Sequence, residues 1–184
     1  MELTLYLRIQ AHANRLSNHR LHAAMAPLSR EQFHAPRTGF FPSLAETLNH
    51  ILVIDLYYVG ALHAEPDLRA VLEGFAPSDE LGALAARQAA SDARLVAWCE
   101  AADAAALDHV VEMPRATYVQ RDRAAHVLAH LFNHQTHHRG QAHAMLAGTS
   151  ITPPQLDEFM MPSEAHLRVH DMAALGWRED AVYR

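Results

Sequence analysis

The chain has 184 residues, half of them apolar, with no lysine, 15 arginines and 21 acidic residues, for a formal charge of −6 when histidine is neutral. That length suits one domain that buries its own core without disulfides or structural zinc, and the single cysteine, Cys99, excludes an internal disulfide and any zinc-ribbon spacing. There is no basic run and no interleaving of arginine with aromatics, so nucleic acid is not an expected partner.

Ala and Leu are abundant, which favours helix, while Val and Ile are sparse, which leaves little strand material. The first helix is expected from about Leu3 to Met25, with Leu5, Ile9, Leu16 and Leu21 on its apolar face and Pro27 limiting it. Glu31 to His34 gives one Glu-x-x-His match beside Pro36, read as loop. The second long helix starts on Ser43, with Glu46 three residues later as a capping box and Phe41 as a staple onto its first turn. It continues through Leu48, Ile51, Leu52 and Leu56 to about His63. The third begins near Ser78 as cap, carries Leu81, Leu84, Leu95 and Trp98, and fades around Asp103. Cys99 beside Trp98 reads as a buried, inert thiol.

The connections Glu65–Pro77 and Ala104–Gln120 are longer than bundle turns, and the second carries Val110, Val111, Met113, Tyr118 and Val119, enough for short extended pieces. The fourth helix is expected from about Arg121 to Ala147, with Gly148 as a left-handed C-cap. A shorter fifth helix is expected over Ser163–Leu175. The fold class is therefore all-α: a four-helix bundle in a single domain over residues 1–184, its core about 1–150, with 151–184 packing on it as a C-terminal extension. The start, MELTLYLRIQ, has no basic leader, and no apolar run reaches the roughly 20 residues of a membrane span. A soluble, unprocessed, cytoplasmic protein is expected.

The chain holds 15 histidines. In the fourth helix His130, His134 and His138 recur every four residues and so share one face, with Leu131, Gln141 and Met145 close to it, which marks that face as inward. Two histidines at i and i+4 can converge on one ion with bonds of about 2.0–2.1 Å. Such a pair needs a ligand from elsewhere, and His50 is the best candidate, mid-helix among Leu48, Ile51 and Leu52, with Glu46, Ile54 and Tyr57 on its face. A histidine pointing into a bundle needs a partner for its ring nitrogens, and a metal supplies one. The alternative is three core or half-exposed imidazoles with ordinary hydrogen bonds. His130 is a fourth ligand or a hydrogen-bonded neighbour of the site; Glu46 can orient His50 or be used up in the capping box. Tyr57 and Gln141 are further candidates for the pocket. His126, His137 and His143 fall off the stripe and read as surface. His12, His19 and His22 read as a solvated side of the first helix or a subunit contact. Arg139 reads as a surface or salt-bridged residue, and Gly140 as a place where another helix packs closely.

At these residues the sequence resembles the DinB family of metal-dependent bundle proteins. The matching stretches are Phe41-Pro-Ser43-Leu-Ala-Glu46-Thr-Leu-Asn49-His50-Ile-Leu-Val-Ile-Asp55 and His130-Leu-Phe-Asn-His134-Gln-Thr-His-His138-Arg139-Gly140-Gln141. The weaker Ala13-Asn14-Arg15-Leu16 and Ala-Pro-Leu28-Ser29 add to them, over about residues 1–160. The resemblance implies that His50, His134 and His138 bind one divalent ion, in a four-helix bundle that is often dimeric. One departure is visible: Tyr57 and Tyr58 stand where relatives commonly carry Trp, which bears on the pocket's shape and not on the metal.

Three neutral imidazoles leave a position open for water or substrate. The resemblance further implies metal activation of a small thiol, because some relatives are thiol-dependent transferases or isomerases; metal-assisted hydrolysis would use water instead. A non-catalytic, stress-response metal-binding bundle is the reading from another class, and it would close the site with a ligand such as His130. Imidazole ligands suit zinc, nickel, copper or iron. Gln135 and Thr136 occupy the inner positions of the histidine repeat, so there is no H-E-x-x-H protease motif, and no dinucleotide fingerprint or phosphate loop is present.

Overall fold

The four long helices follow the apolar periodicity of their sequences, and short elements connect them. The computed structural model describes residues 2–157 and 161–183. Helix α1 (Leu3–Met25) is followed by α2 (Arg30–His34), a single turn with a complete capping box: Ser29 Oγ accepts from Gln32 N (3.2 Å) and Gln32 Oε1 from Ser29 N (2.9 Å). The segment expected as loop around Glu31–His34 is therefore helical. Helix α3 (Leu44–Leu62) starts on Ser43, whose Oγ accepts from Glu46 N at 3.1 Å. Only half of the expected box forms there, because the Glu46 carboxylate accepts from the Ser43 hydroxyl (3.4 Å) and not from its backbone N–H.

The first long connection contains α4 (Leu68–Glu73), and α5 (Leu81–Ala101) begins after Glu80, not at Ser78. Ser78 is drawn away to α3 instead: its N–H donates to Asn49 Oδ1 (2.7 Å) and its carbonyl accepts from Asn49 Nδ2 (3.0 Å). After α6 (Ala104–Asp108) come β1 (Val110–Pro114) and β2 (Val119–Arg123), an antiparallel hairpin with Val110 opposite Arg123 and Pro114 opposite Val119. That pairing takes the residues expected to open the fourth helix, so α7 runs Ala124–Ala147. Gly148 caps it with φ −83°, so the expected left-handed cap is absent. The expected fifth helix breaks at Arg168 into a 3-10 turn (Pro162–Leu167) and α8 (Val169–Ala174), because the buried Arg168 side chain is held by Glu179 and the Met161 carbonyl. Helix α9 (Glu179–Val182) follows, and Met172 and Val182 pack on Ala13 and Leu16 of α1.

Helices α1 and α3 each pack on both α5 and α7, which closes a four-membered ring, an all-α bundle with one small hairpin. No described helix is long and apolar enough to cross a membrane. The ring encloses two apolar halves, one around Tyr57, Leu95, Leu128 and Leu131, the other around Leu21, Leu52, Leu84 and Leu146.

Along every long helix a polar pair or residue lies between those halves. Asp92 accepts from Asn18 Nδ2 (3.0 and 3.1 Å), Asn14 Nδ2 (3.4 Å) and Gln88 Nε2 (3.0 Å). Asp55 accepts from Gln88 Nε2 (2.6 Å) and from Gln135 Nε2. Arg139 Nη1 donates to Asn14 Oδ1 (2.7 Å), Asn18 Oδ1 (3.0 Å) and Gln135 Oε1 (3.3 Å). Arg139 is thus buried at 8 % exposure, and not a surface residue, because this layer holds it. Burial pushes the Asp92 carboxyl up to about 6 and Asp55 well above the carboxylate range, and pushes Arg139 down to about 10 against the pull of both. Cys99 is buried and its thiol is pushed up to about 12, which leaves it inert. His12 and His22 are buried as well, contrary to a solvated face: α5 and the C-terminal segment cover α1, and His12 meets the Trp177 ring edge-on at 4.5 Å. Gly140 is exposed, and a Cβ added there meets nothing within 4 Å, so the expected close helix approach does not exist.

Two stability outcomes follow from this layer and its surroundings. Gly140→Ala should raise the unfolding free energy by about 1 kcal/mol, the helix-propensity difference alone. Arg139→Leu should lower it by about 3 kcal/mol or more, since Asp92 and Asp55 lose the buried guanidinium that both feel. Urea titration of both variants against the wild type reads the two effects with opposite signs.

Candidate metal centre

His134 and His138 project from one face of α7 because four residues separate them, and α3 packs against that face. His50 comes from the middle of α3. The structure brings these three rings together: centroids lie 4.5 Å apart for His134–His138, 4.6 Å for His50–His138 and 4.9 Å for His50–His134. One nitrogen from each lies within 4.8 Å of the other two, the only such group of metal-ligating side chains among the described residues.

The closest approach is between Nε2 of His134 and Nε2 of His50, at 3.0 Å. Two nitrogens bound to one tetrahedral ion at about 2.0–2.1 Å stand roughly 3.4 Å apart, so the pair, now at hydrogen-bond distance, would open by about 0.4 Å to admit an ion. His134 Nδ1 is enclosed without a partner. His138 is oriented by its neighbour one turn on: its Nδ1–H donates to Gln141 Oε1 at 2.8 Å, and Gln141 Nε2 donates to His137 Nε2 at 3.2 Å. That bond fixes the tautomer and leaves His138 Nε2 with a free lone pair, the usual arrangement behind a metal-bound imidazole.

Electrostatics favour the deprotonated rings that a cation needs. Burial, then the neighbouring imidazoles, holds His134 down at about 3. Burial and His138 hold His50 at about 4, and burial lowers His138 against the opposing pull of Gln141. All three are neutral at physiological pH, and a divalent ion would meet no positive charge from them.

The other residues read from the sequence fall around this cluster with different roles. His130, expected on the inward stripe, is exposed; its ring centroid is 6.2 Å from His134 and 5.1 Å from Tyr58, so it stays outside the three-histidine group. Glu46 is exposed and bonded to the Ser43 hydroxyl. Tyr57 is fully buried, its hydroxyl donating to Pro114 O at 2.6 Å under the hairpin, while Tyr58 meets His130. His126 and His137 are exposed, and His143 is half-buried against the Pro154 carbonyl (2.9 Å).

Phe41, expected as a staple onto the first turn of α3, lays its ring over the cluster, 4.4 Å from His50 and 5.6 Å from His138. The loop carrying it is pinned by Arg37 N–H to Pro42 O (2.7 Å), and Gly39 lies so close to Met145 that a Cβ there would stand 2.2 Å from its methyl carbon. The polar layer behind the histidines has a local sequence signal, i, i+4 polar pairs on three helices: Asn14/Asn18, Gln88/Asp92 and Gln135/Arg139.

A family model described as the DinB family matches residues 4–171, most of the chain. No curated protein matches it.

The depressed histidines have a pH signature. In the unfolded chain the imidazoles take protons near 6.5, whereas folded His50 and His134 refuse them until about 4 and 3. Between those values the unfolded state binds more protons, so the stability they confer is present above about 6.5 and is lost as pH falls through that window. Asp92 acts in the opposite direction, keeping its proton in the folded state up to about 6. In metal-free protein the urea midpoint should therefore fall more steeply between pH 7 and pH 5 for the wild type than for His134→Gln. Equal slopes would mean that His134 titrates as a free imidazole.

Proposed function

Because the chain belongs to the DinB family, we propose that it is a metal-dependent enzyme whose one divalent ion is held by His50, His134 and His138. The observation that carries this reading is the convergence of three neutral imidazoles, two of them nitrogen to nitrogen at 3.0 Å. Zinc, nickel and iron all accept such a set. A bound ion would supply Lewis acidity, lowering the pKa of water or a thiol enough to give a nucleophile at neutral pH.

The chain's own residues do the rest. Gln141 holds the His138 ring through Nδ1 and so aims its Nε2. Gln135 and Arg139, each one residue beyond a ligand, lock α7 into the buried polar layer and keep both rings on the α3 side. Phe41 excludes water from one side of the cluster, which strengthens electrostatic interactions within it. On the family resemblance, the reaction is transfer or isomerisation with a low-molecular-weight thiol, or hydrolysis where water takes the thiol's place, on a small-molecule substrate. The same reading takes the protein as a homodimer of the reducing cytoplasm. The resemblance supplies the dimer, and a lone, buried thiol suits the compartment.

A non-catalytic, stress-response metal-binding role would need the fourth position closed by protein. His130 is one ligand that could close it, and its exposed ring set against Tyr58 favours the open, catalytic arrangement.

Protein purified without a histidine tag should carry close to one equivalent of divalent metal by elemental analysis. His134→Ala and His138→Ala should each lose it. Gln141→Ala should keep the stoichiometry at saturation and bind about 10–100-fold more weakly. Stripping by chelator should abolish turnover of a thiol with an electrophile, and re-addition should restore it. Full metal content in the histidine variants would place the ion elsewhere and end the proposal.

A further inference from the structure

His50 is a wall of two features at once. One is the histidine cluster; the other is a groove of about 420 Å³ beside α3, with Phe41, Val53 and Phe75 among its apolar walls and the carboxylates of Glu46 and Asp79 on it. That volume lies in the range of small-molecule sites, which are typically apolar with a few placed polar groups. The groove is built, not incidental. Asn49 clamps Ser78 through both backbone groups, and Arg87 donates to Ala76 O and Ser78 Oγ, each at 2.8 Å, so the wall facing α3 is fixed before anything binds. By contrast, the cleft by His126 and His130 beneath the hairpin contains none of the three histidines of the cluster.

Among the described residues no arginine lines the groove, and its carboxylates are Glu46 and Asp79. Asp79 is partly compensated by Arg30, whose Nη2 donates to it at 2.7 Å, and by the His34 ring on the same wall, whose Nε2–H donates to the Asp79 carbonyl at 2.8 Å and stands 4.0 Å from its carboxylate. Glu46 has only the Ser43 hydroxyl, at 3.4 Å. A negative group entering here meets an uncompensated carboxylate, whereas an ammonium meets a carboxylate and an aromatic face.

We propose that this groove seats the body of the substrate, an aromatic or similarly flat apolar group bearing an amine, and that Glu46 discriminates against carboxylate-bearing analogues. The inference rests on the metal-centre reading, because His50 is what joins groove to ion. The reacting anion is drawn by the cation, and the remainder of the molecule is sorted by the groove.

The test uses the full chain loaded with Co(II), whose thiolate charge-transfer absorption reports a thiol reaching the ion. Three benzenethiols matched in size serve as probes, with para-aminomethyl, para-methyl and para-carboxylate substituents, each titrated at low ionic strength and referred to thiolate concentration. The aminomethyl probe should bind about tenfold or more tighter than the carboxylate. Glu46→Gln, at an exposed position, should compress that ratio to about threefold or less. Val53→Trp, which fills the groove, should weaken all three probes by about tenfold and leave hydrosulfide, too small to need the groove, unchanged. Cobalt bound with no preference, with the carboxylate tightest, or with a ratio indifferent to Glu46→Gln overturns the groove's role and leaves the metal centre standing. Failure to retain cobalt overturns the metal reading and this inference together.

Discussion

A belt of buried polar side chains, in which Arg139 is tied to Asn14, Asn18 and Gln135, and Asp55 and Asp92 are bridged by Gln88, is the constraint on which the remainder of the structure depends. It draws one or two residues from each long helix. Apolar packing alone tolerates rotation and sliding of helices, because dispersion and burial are nearly indifferent to direction. Hydrogen bonds are not indifferent. Asp55 at 1 % exposure, Asp92 at 2 % and Gln135 at 0 % have no water to turn to, so a helix out of register would leave a charge or an amide unpaired.

That belt reaches the histidines through the chain itself. Gln135 follows His134 and Arg139 follows His138, while Asp55 lies five residues beyond His50 on α3. When Gln135 donates to Asp55, the rotation of α7 about its axis and its height against α3 are both settled. His134 and His138 are then delivered to the side of α3 where His50 waits. The histidine cluster is thus positioned from behind by groups outside it.

The same burial that makes the belt demanding makes the histidines receptive. Two helices converge on a space lined by imidazoles and covered on one side by Phe41, where burial and the neighbouring rings make His134 and His50 harder to protonate. Neutral imidazole nitrogens gathered within 4.8 Å of one another are the donor set a divalent cation accepts. The hairpin and the C-terminal segment serve different ends. The hairpin covers one apolar half, where Tyr57 anchors it through Pro114, and the C-terminal segment covers the outer side of α1 with Met172, Trp177 and Val182. Neither contributes to the three-histidine group.

Local signals sufficed for much of this. The extents of α1 and α3, the expectation of an all-α bundle, the extended pieces near Val110 and Val119, and the three histidines as candidates were all legible, because helical periodicity, caps and i, i+4 spacing are properties of neighbouring residues. Other features were not local. Strand pairing at 121–123 overrode the helix pattern, and the pull of Asn49 on Ser78 shifted the start of α5. His12, His22 and Arg139 have unremarkable sequence surroundings and are buried only because distant elements lie on them. His130 shares the spacing of His134 and His138 but is exposed, because one more helical turn sets its ring beside Tyr58, farther along α3, and not beside His50. The three histidines of the cluster were thus legible as candidates in the sequence. Their meeting was decided by tertiary packing, because only the folded bundle brings a ring nitrogen of residue 50 within 4.8 Å of those of residues 134 and 138.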